Sequence, residues 1–338
     1  MGDSLGQPSS RVAWVDYAKG ICIFAVVMFY ANNYVEQWMR TEGWLAHVVH
    51  FARPFRMPDF FLISGLFLSK VIDRPWRIYL DRRVFHFFYF FALWTTLSFL
   101  IFDVKSALIG TTSAETLGKQ YLLYFIQPIR NLWFIEMLPI FFIVTRLLRP
   151  LPWWCVWLVA ALLEVLEIHT GWLLLDQFAE RYVYFYSGYA LAQRWFAIAA
   201  WAQQQPWIAA GSLFGWAFLN GVIVGVGWST SPGMSLFLGF AGALAVILSA
   251  ALLSTRCWMA WLRYLGQRSL VIYLAFYYPL ILALRIFITP GWIADVGTIA
   301  VLVTLSSVAG AILLYRIVRL VGGRLLFERP AWARLTTA

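Results

Sequence analysis

From Arg53 to Ser69 the chain reads Arg-Pro-Phe-Arg-Met-Pro-Asp-Phe-Phe-Leu-Ile-Ser-Gly-Leu-Phe-Leu-Ser. Three ionisable residues, Arg53, Arg56 and Asp59, open an otherwise apolar segment. A charge at membrane depth costs a few kcal/mol or more, so such groups normally face a bundle interior or a wet cavity. Pro54 and Pro58 lie among them, and together they predict a broken helix that lines a cavity. Asp59 is placed there to exchange protons, and Arg53 and Arg56 to hold an anionic ligand. The competing reading is a helix end at the lipid headgroups, where arginines also gather.

A second pair lies in the first apolar run. Lys19 and Tyr30 are eleven residues apart. At ~100° per residue they share one helix face, about 16 Å apart along the axis. A cation near one surface and a polar group deeper on the same face could grip both ends of a long ligand. Alternatively, Lys19 snorkels to the headgroups and Tyr30 joins the interfacial aromatics.

The composition says what must position these residues. The chain has 338 residues, 62% of them hydrophobic and 12% charged, with a mean hydropathy of +0.73. Soluble domains average about 45–50% apolar and about 25% charged, so an all-α integral membrane protein is expected. Barrel strands would be ~10-residue alternating segments, which the sequence lacks. Apolar runs fall near 13–35, 56–72, 83–103, 131–148, 152–169, 182–200, 206–227, 232–254, 267–288 and 296–321. They predict a bundle of about ten transmembrane helices in one domain over 1–338. A short polar tail (1–10) precedes it and a tail at about 322–338 follows. No small-residue cleavage site follows the first run, which predicts a retained helix. A small cap is expected within 103–130.

With the N-terminus in the cytoplasm, seventeen of the 26 basic residues fall on the cytoplasmic side and six on the other; Lys19, Arg53 and Arg56 lie at depth. This bias follows the positive-inside rule, with both termini cytoplasmic. It accounts for the formal charge of +10 without nucleic acid as a partner; the expected surroundings are a lipid bilayer. Many of the nineteen tryptophans cluster near span ends, as interfacial residues do. Cys22, Cys155 and Cys257 are isolated, so no disulfide framework or metal site is expected.

At this point the sequence resembles a known family. Asp16-Tyr-Ala-Lys-Gly20 before an apolar run is similar to the opening motif of the acyltransferase-3 membrane acyltransferases. Phe61-Leu-Ile-Ser-Gly65 resembles their Phe-x-x-Ser-Gly segment, and Tyr79-Leu-Asp-Arg-Arg83 their basic segment before the third helix. Leu132-Trp-Phe-Ile135 and the stretch from Leu265 to Tyr273 resemble two further motifs. Each is common alone, but all occur here in the expected order. The similarity extends to sugar O-acetyltransferases that resemble nodulation-factor fucose acetylases. The resemblance implies that cytoplasmic acyl-CoA, acetyl-CoA in the simplest case, is a co-substrate and not a permanent cofactor. Its acyl group would pass to a hydroxyl of an envelope or exported glycan or lipid-linked sugar, in a bacterial inner membrane. By position Lys19 corresponds to the donor's phosphate contact, with Arg82 and Arg83 assisting and Ser64 in the same set. Self-association is left open.

Two departures stand out. The family's motif histidine corresponds to Tyr30, and many relatives carry a histidine where this chain has Phe276. A histidine (pKa ~6.5) takes a hydroxyl proton at neutral pH, whereas a tyrosine (~10) does not readily do so. His50, His47, His86, Glu136 and Asp59 are the available substitutes, and Arg53 or Arg56 is expected to pair with Glu136. Without any base, a lipid-linked glycan transporter or an inactive assembly partner would fit the same cavity.

Overall fold

The computed structural model describes residues 12–104 and 113–335, and every long element among them is helical. The polar tail 1–10 and part of the expected cap lie outside the described residues. The principal helices are α1 (Ala13–Met39), α2 (Leu45–Ala52), α3 (Arg56–Gly65), α4 (Trp76–Asp103), α5 (Ala114–Leu123), α6 (Trp133–Leu147), α7 (Trp153–Val165), α8 (Leu173–Ala190), α9 (Ala192–Gln204), α10 (Pro206–Val226), α11 (Met234–Leu253), α12 (Ala260–Gln267), α13 (Ser269–Ala275), α14 (Tyr277–Ile288) and α15 (Val296–Leu320). The expected apolar runs are helical. Among the described residues five helices, α1, α4, α10, α11 and α15, are long and apolar enough to cross a membrane by length and composition. A sixth span arises if α13 and α14, bent by 57°, are taken together.

Other runs fall short of that length or apolarity for local reasons. The run 56–72 forms only ten helical residues, about 15 Å of rise. The run 182–200 is divided at Leu191 between α8 and α9. α8 also carries Asp176, Glu180 and Arg181, which lower its apolarity.

α1 is the central element. It packs against α3, α11, α12 and α15, and Ala18, Val27, Ala31 and Val35 on it are fully buried. Its N-terminal half meets α12 backbone to backbone: a Cβ at Gly20 would strike the Leu262 carbonyl, and one at Gly266 the Asp16 carbonyl. Helices in lipid associate largely by such close approach of small residues. Asp16 seals the contact, accepting a hydrogen bond from Gln267 Nε2 at 3.1 Å and lying 3.7 Å from Arg263 Nε. α3 crosses α8 in the same way, because a Cβ on Gly65 would meet the Phe185 carbonyl and one on Gly188 the Leu62 carbonyl. The glycine of the Phe-x-x-Ser-Gly segment is therefore a packing requirement.

The two ends of the bundle are built differently. At the proximal end, where α1 begins, Arg149 pairs with Asp73 and Arg146 donates to the Arg74 carbonyl at 2.6 Å. The chain's end also docks there. Arg329 Nη1 and Nη2 donate to the Asp81 carbonyl and carboxylate at 2.6 and 2.7 Å, and the Leu335 amide donates to the same carboxylate at 2.8 Å. Trp94 and Tyr89 bind the carbonyls of Leu326 and Leu325. The expected tail is thus a strap in its described part. At the distal end, Asp295 caps α15 through Thr298 and accepts from Trp44 Nε1 at 3.1 Å. The hydrogen bonds from Thr298, with that from Trp44, hold its carboxyl below the usual range.

Candidate functional site

α4 loosens from α-helical to wider π-type hydrogen bonding over Leu80–Phe85, a distortion that often marks functional sites. Arg82 and Arg83 lie in this segment, and the strap holds the neighbouring Asp81. Both arginines face a cavity of about 740 Å³ at the proximal end, with Lys19, Lys70 and Arg74. A narrower cavity of about 240 Å³ continues inward and shares Lys19, Arg83, Phe67, Ser269 and Leu270 with the first. Its remaining wall is mostly aromatic and aliphatic, with Cys22, Ser64 and Tyr273 as polar points. A broad basic vestibule thus narrows into an apolar slot, with Lys19 and Arg83 at the waist.

α3 supplies one wall of the slot through Phe60, Ile63 and Ser64, followed by Phe67 just beyond the helix. Ser64 Oγ donates to the Phe60 carbonyl at 2.7 Å. Asp59 is one helical turn before Ile63 and on the same side of α3, just outside the residues that line the slot. Its carboxylate is buried, it interacts with Cys22, and among the described residues its Oδ1 has no hydrogen-bond partner. Arg56, one turn before Phe60, lies deeper still. Its guanidinium rests 3.6 Å from the centre of the Phe29 ring and has no carboxylate partner among the described residues. The expected pairing of Arg53 or Arg56 with Glu136 is therefore not formed. Glu136 sits two residues from Phe134 and two from Leu138, which both line the slot. At ~100° per residue it projects to the opposite side of α6.

Beyond the slot stands an aromatic wall. Phe134 and Tyr273 lie 5.4 Å apart, Tyr273 and Phe276 6.4 Å, and Phe276 and Tyr30 5.5 Å. Tyr273 is anchored reciprocally: its hydroxyl donates to the Asn131 carbonyl while Asn131 Nδ2 donates to the Tyr273 carbonyl at 2.9 Å. Tyr30 stands behind this wall and does not line the slot, and its hydroxyl faces Trp133 and Arg56. The two positions at which the chain departs from the resemblance, Tyr30 and Phe276, pack on each other.

The other candidates are dispersed. His47, His50 and Arg53 line a distal cavity of about 480 Å³ with Ser229 and Thr230. Arg53 is exposed there, at the opposite end from Lys19, Arg82 and Arg83. His86 lies near the Arg329–Asp81 contact with its ring against Phe87 and Phe90, and lines none of these cavities. Sequence reasoning missed Cys22, whose isolation concealed its place in the slot, and Ser269 at the waist. Among the described residues no cluster of metal-ligating side chains occurs.

The comparisons agree with the motifs. A family profile described as an acyltransferase domain matches residues 12–316. The chain belongs to the acyltransferase-3 family. The acyltransferase-3 domain therefore takes in α1 to most of α15, including both walls of the slot. Inner membrane protein YcfT of Escherichia coli (strain K12) is 36% identical over 91 residues. That similarity covers 24% of this chain and 25% of YcfT, so the chain matches only about a quarter of that relative's length. No solved structure matches. With its apolar helices, the acyltransferase-3 chain is a multi-pass membrane protein.

Proposed function

We propose that the protein moves an acyl group, acetyl in the simplest case, from cytoplasmic acyl-CoA to a hydroxyl of an envelope or exported glycan or lipid-linked sugar. One observation carries this reading: a basic vestibule of about 740 Å³ that leads into an apolar slot. Acyl-CoA has the matching asymmetry, a polyanionic phosphate end and a long, thin arm ending in the thioester. Vestibule cations take the phosphates, for which Arg is suited by its bidentate donors and Lys as a point charge. The slot takes the arm and directs the thioester toward Cys22 and Asp59. The basic bias of the proximal end supports a mouth that opens to the cytoplasm of a bacterial inner membrane.

Transfer requires the acceptor oxygen to attack the thioester carbonyl carbon while its proton leaves. The C–S bond then breaks, and the CoA sulfur departs as the thiol. In this scheme Asp59, the buried carboxylate one turn from Ile63, takes the acceptor's proton and passes it to the departing sulfur. Tyr30 shapes the wall through which the acceptor approaches. Removing a general base typically lowers a rate by ~10²–10⁴-fold.

Turnover of labelled acetyl-CoA by the purified protein tests the reading. Asp59→Asn keeps the side chain's shape and is expected to lower turnover by that ~10²–10⁴-fold with CoA affinity unchanged. Tyr30→His is expected to change turnover less than about tenfold, because the new imidazole meets Phe276 and not the slot. Full activity in Asp59→Asn removes Asp59 from the chemistry, and a large gain in Tyr30→His moves the reaction centre to the wall. No turnover in the wild type, with CoA bound, leaves the transporter or assembly-partner reading.

A further inference from the structure

A second polar cavity, of about 280 Å³, opens at the distal end between α7, α8 and the start of α11. It shares Arg53, Ser229 and Thr230 with the cavity that holds His47 and His50. Glu164, Glu167, His169, Glu180, Arg181, Tyr184 and Ser235 complete its polar lining. Its lining side chains are held in place. Thr170 donates both its amide and its hydroxyl to Asp176 at 2.7 Å, which fixes the loop bearing Glu167 and His169. Arg181 Nη2 lies 2.8 Å from Glu180 Oε2.

Two buried polar atoms here lack partners. Glu164 is 5% exposed; its Oε1 accepts the Tyr184 hydroxyl at 3.2 Å and the Ser235 side chain faces the same carboxylate, while among the described residues Oε2 has no hydrogen bond of ordinary geometry. Arg181 Nε is likewise unpaired. A buried acceptor and a buried donor left open in one small cavity are each unfavourable without a ligand or solvent partner. The cavity's formal charge is −1, from Glu164, Glu167 and Glu180 against Arg53 and Arg181. Carboxylates and guanidiniums side by side match a ligand whose groups both donate and accept, which hydroxyls do and carboxylates or phosphates do not. The net negative charge disfavours an anion.

We propose that this distal cavity binds a sugar ring that is uncharged or carries an amine, with Glu164 accepting and Arg181 donating to its hydroxyls. The inference deepens the acyltransferase reading, since it supplies the end from which the acceptor approaches. Arg181 and Arg53 both lie near Arg56, which faces Tyr30. The cavity's two arginines therefore lie on the Arg56 side of the aromatic wall, away from the donor slot.

The test uses full-length protein in detergent and three probes, methyl glucoside, glucosamine and glucuronate, with binding read by saturation-transfer NMR. Methyl glucoside and glucosamine are expected to bind, and glucuronate at least tenfold more weakly. Glu164→Leu and Thr230→Trp, the latter a substitution at an exposed rim position that fills the entrance, should each weaken sugar binding at least tenfold. Both should leave coenzyme A binding unchanged. Equal binding of all three probes, no binding of any, or unaltered binding in Thr230→Trp overturns the proposal. Sugar binding without coenzyme A binding would instead sink the acyltransferase reading and leave this site standing.

Discussion

Replacing Lys19 and Arg83 together by alanine is expected to weaken coenzyme A binding by about 100-fold or more. Hydrogen bonds to charged groups contribute about 1.5–3 kcal/mol each, and about 1.4 kcal/mol is tenfold in affinity. These two residues line both the vestibule and the slot, so each is placed to meet phosphate and to guide the arm. Because they share one ligand, the double substitution will not equal the sum of the singles. Lys19→Arg keeps the charge and should be milder. Arg82 is exposed, so Arg82→Ala should cost less, and its effect should fade with added salt. Calorimetry on the purified protein checks all three variants against wild type, and equal affinity in wild type and double variant removes the vestibule from donor binding.

The strap gives the second large effect. Arg329→Ala is expected to destabilise the fold by about 3–5 kcal/mol, the usual consequence of leaving one partner of a buried ion pair uncompensated. The Asp81 and Arg329 side chains are only 4% and 6% exposed, so water cannot replace the lost partner. Asp81→Leu with Arg329→Met should recover much of the loss, since apolar replacement of both partners is often neutral. Recovery should fall short of wild type because Asp81 also accepts the Leu335 amide. Asp81 adjoins Arg82 in the widened turn of α4, so the single variant should also raise KM for the donor more than it lowers kcat. Thermal unfolding in detergent together with donor kinetics measures both; an unchanged melting temperature in Arg329→Ala contradicts the strap's role.

Much of this architecture was legible in the sequence. The apolar runs located the helices, and Pro54 marked the break between α2 and α3. The count of spans was not legible, because length alone does not show that α3 stops at Gly65, that α8 and α9 divide at Leu191, or that α13 and α14 bend. The stretch from Arg53 to Ser64 was singled out as the lining of one cavity, but its residues lie in different places. Arg53 faces the distal cavities, Arg56 lies against Phe29, Asp59 is buried one turn from the slot's lining and Ser64 lines it. Glu136 drew attention as an intramembrane carboxylate, yet the helical period turns it away from the slot. The Asp81–Arg329 contact spans 248 residues, and no local pattern announces a pairing of that range. Gly65 and Gly188 carried a motif whose physical reason, backbone contact between α3 and α8, appears only once both helices are placed. Tyr30 and Phe276 were each visible as departures, but their contact was not.

The central claim is that the slot between α1, α3 and α6 receives the donor's arm from the basic end. Cys22 lines that slot and offers a chemical reporter. In a Cys155→Ser, Cys257→Ser background it is the sole cysteine, and its alkylation by N-ethylmaleimide can be followed by mass spectrometry with and without coenzyme A. The account predicts that saturating coenzyme A slows alkylation at least tenfold and that Lys19→Ala with Arg83→Ala abolishes this protection at the same concentration. An alkylation rate that coenzyme A leaves unchanged would contradict it.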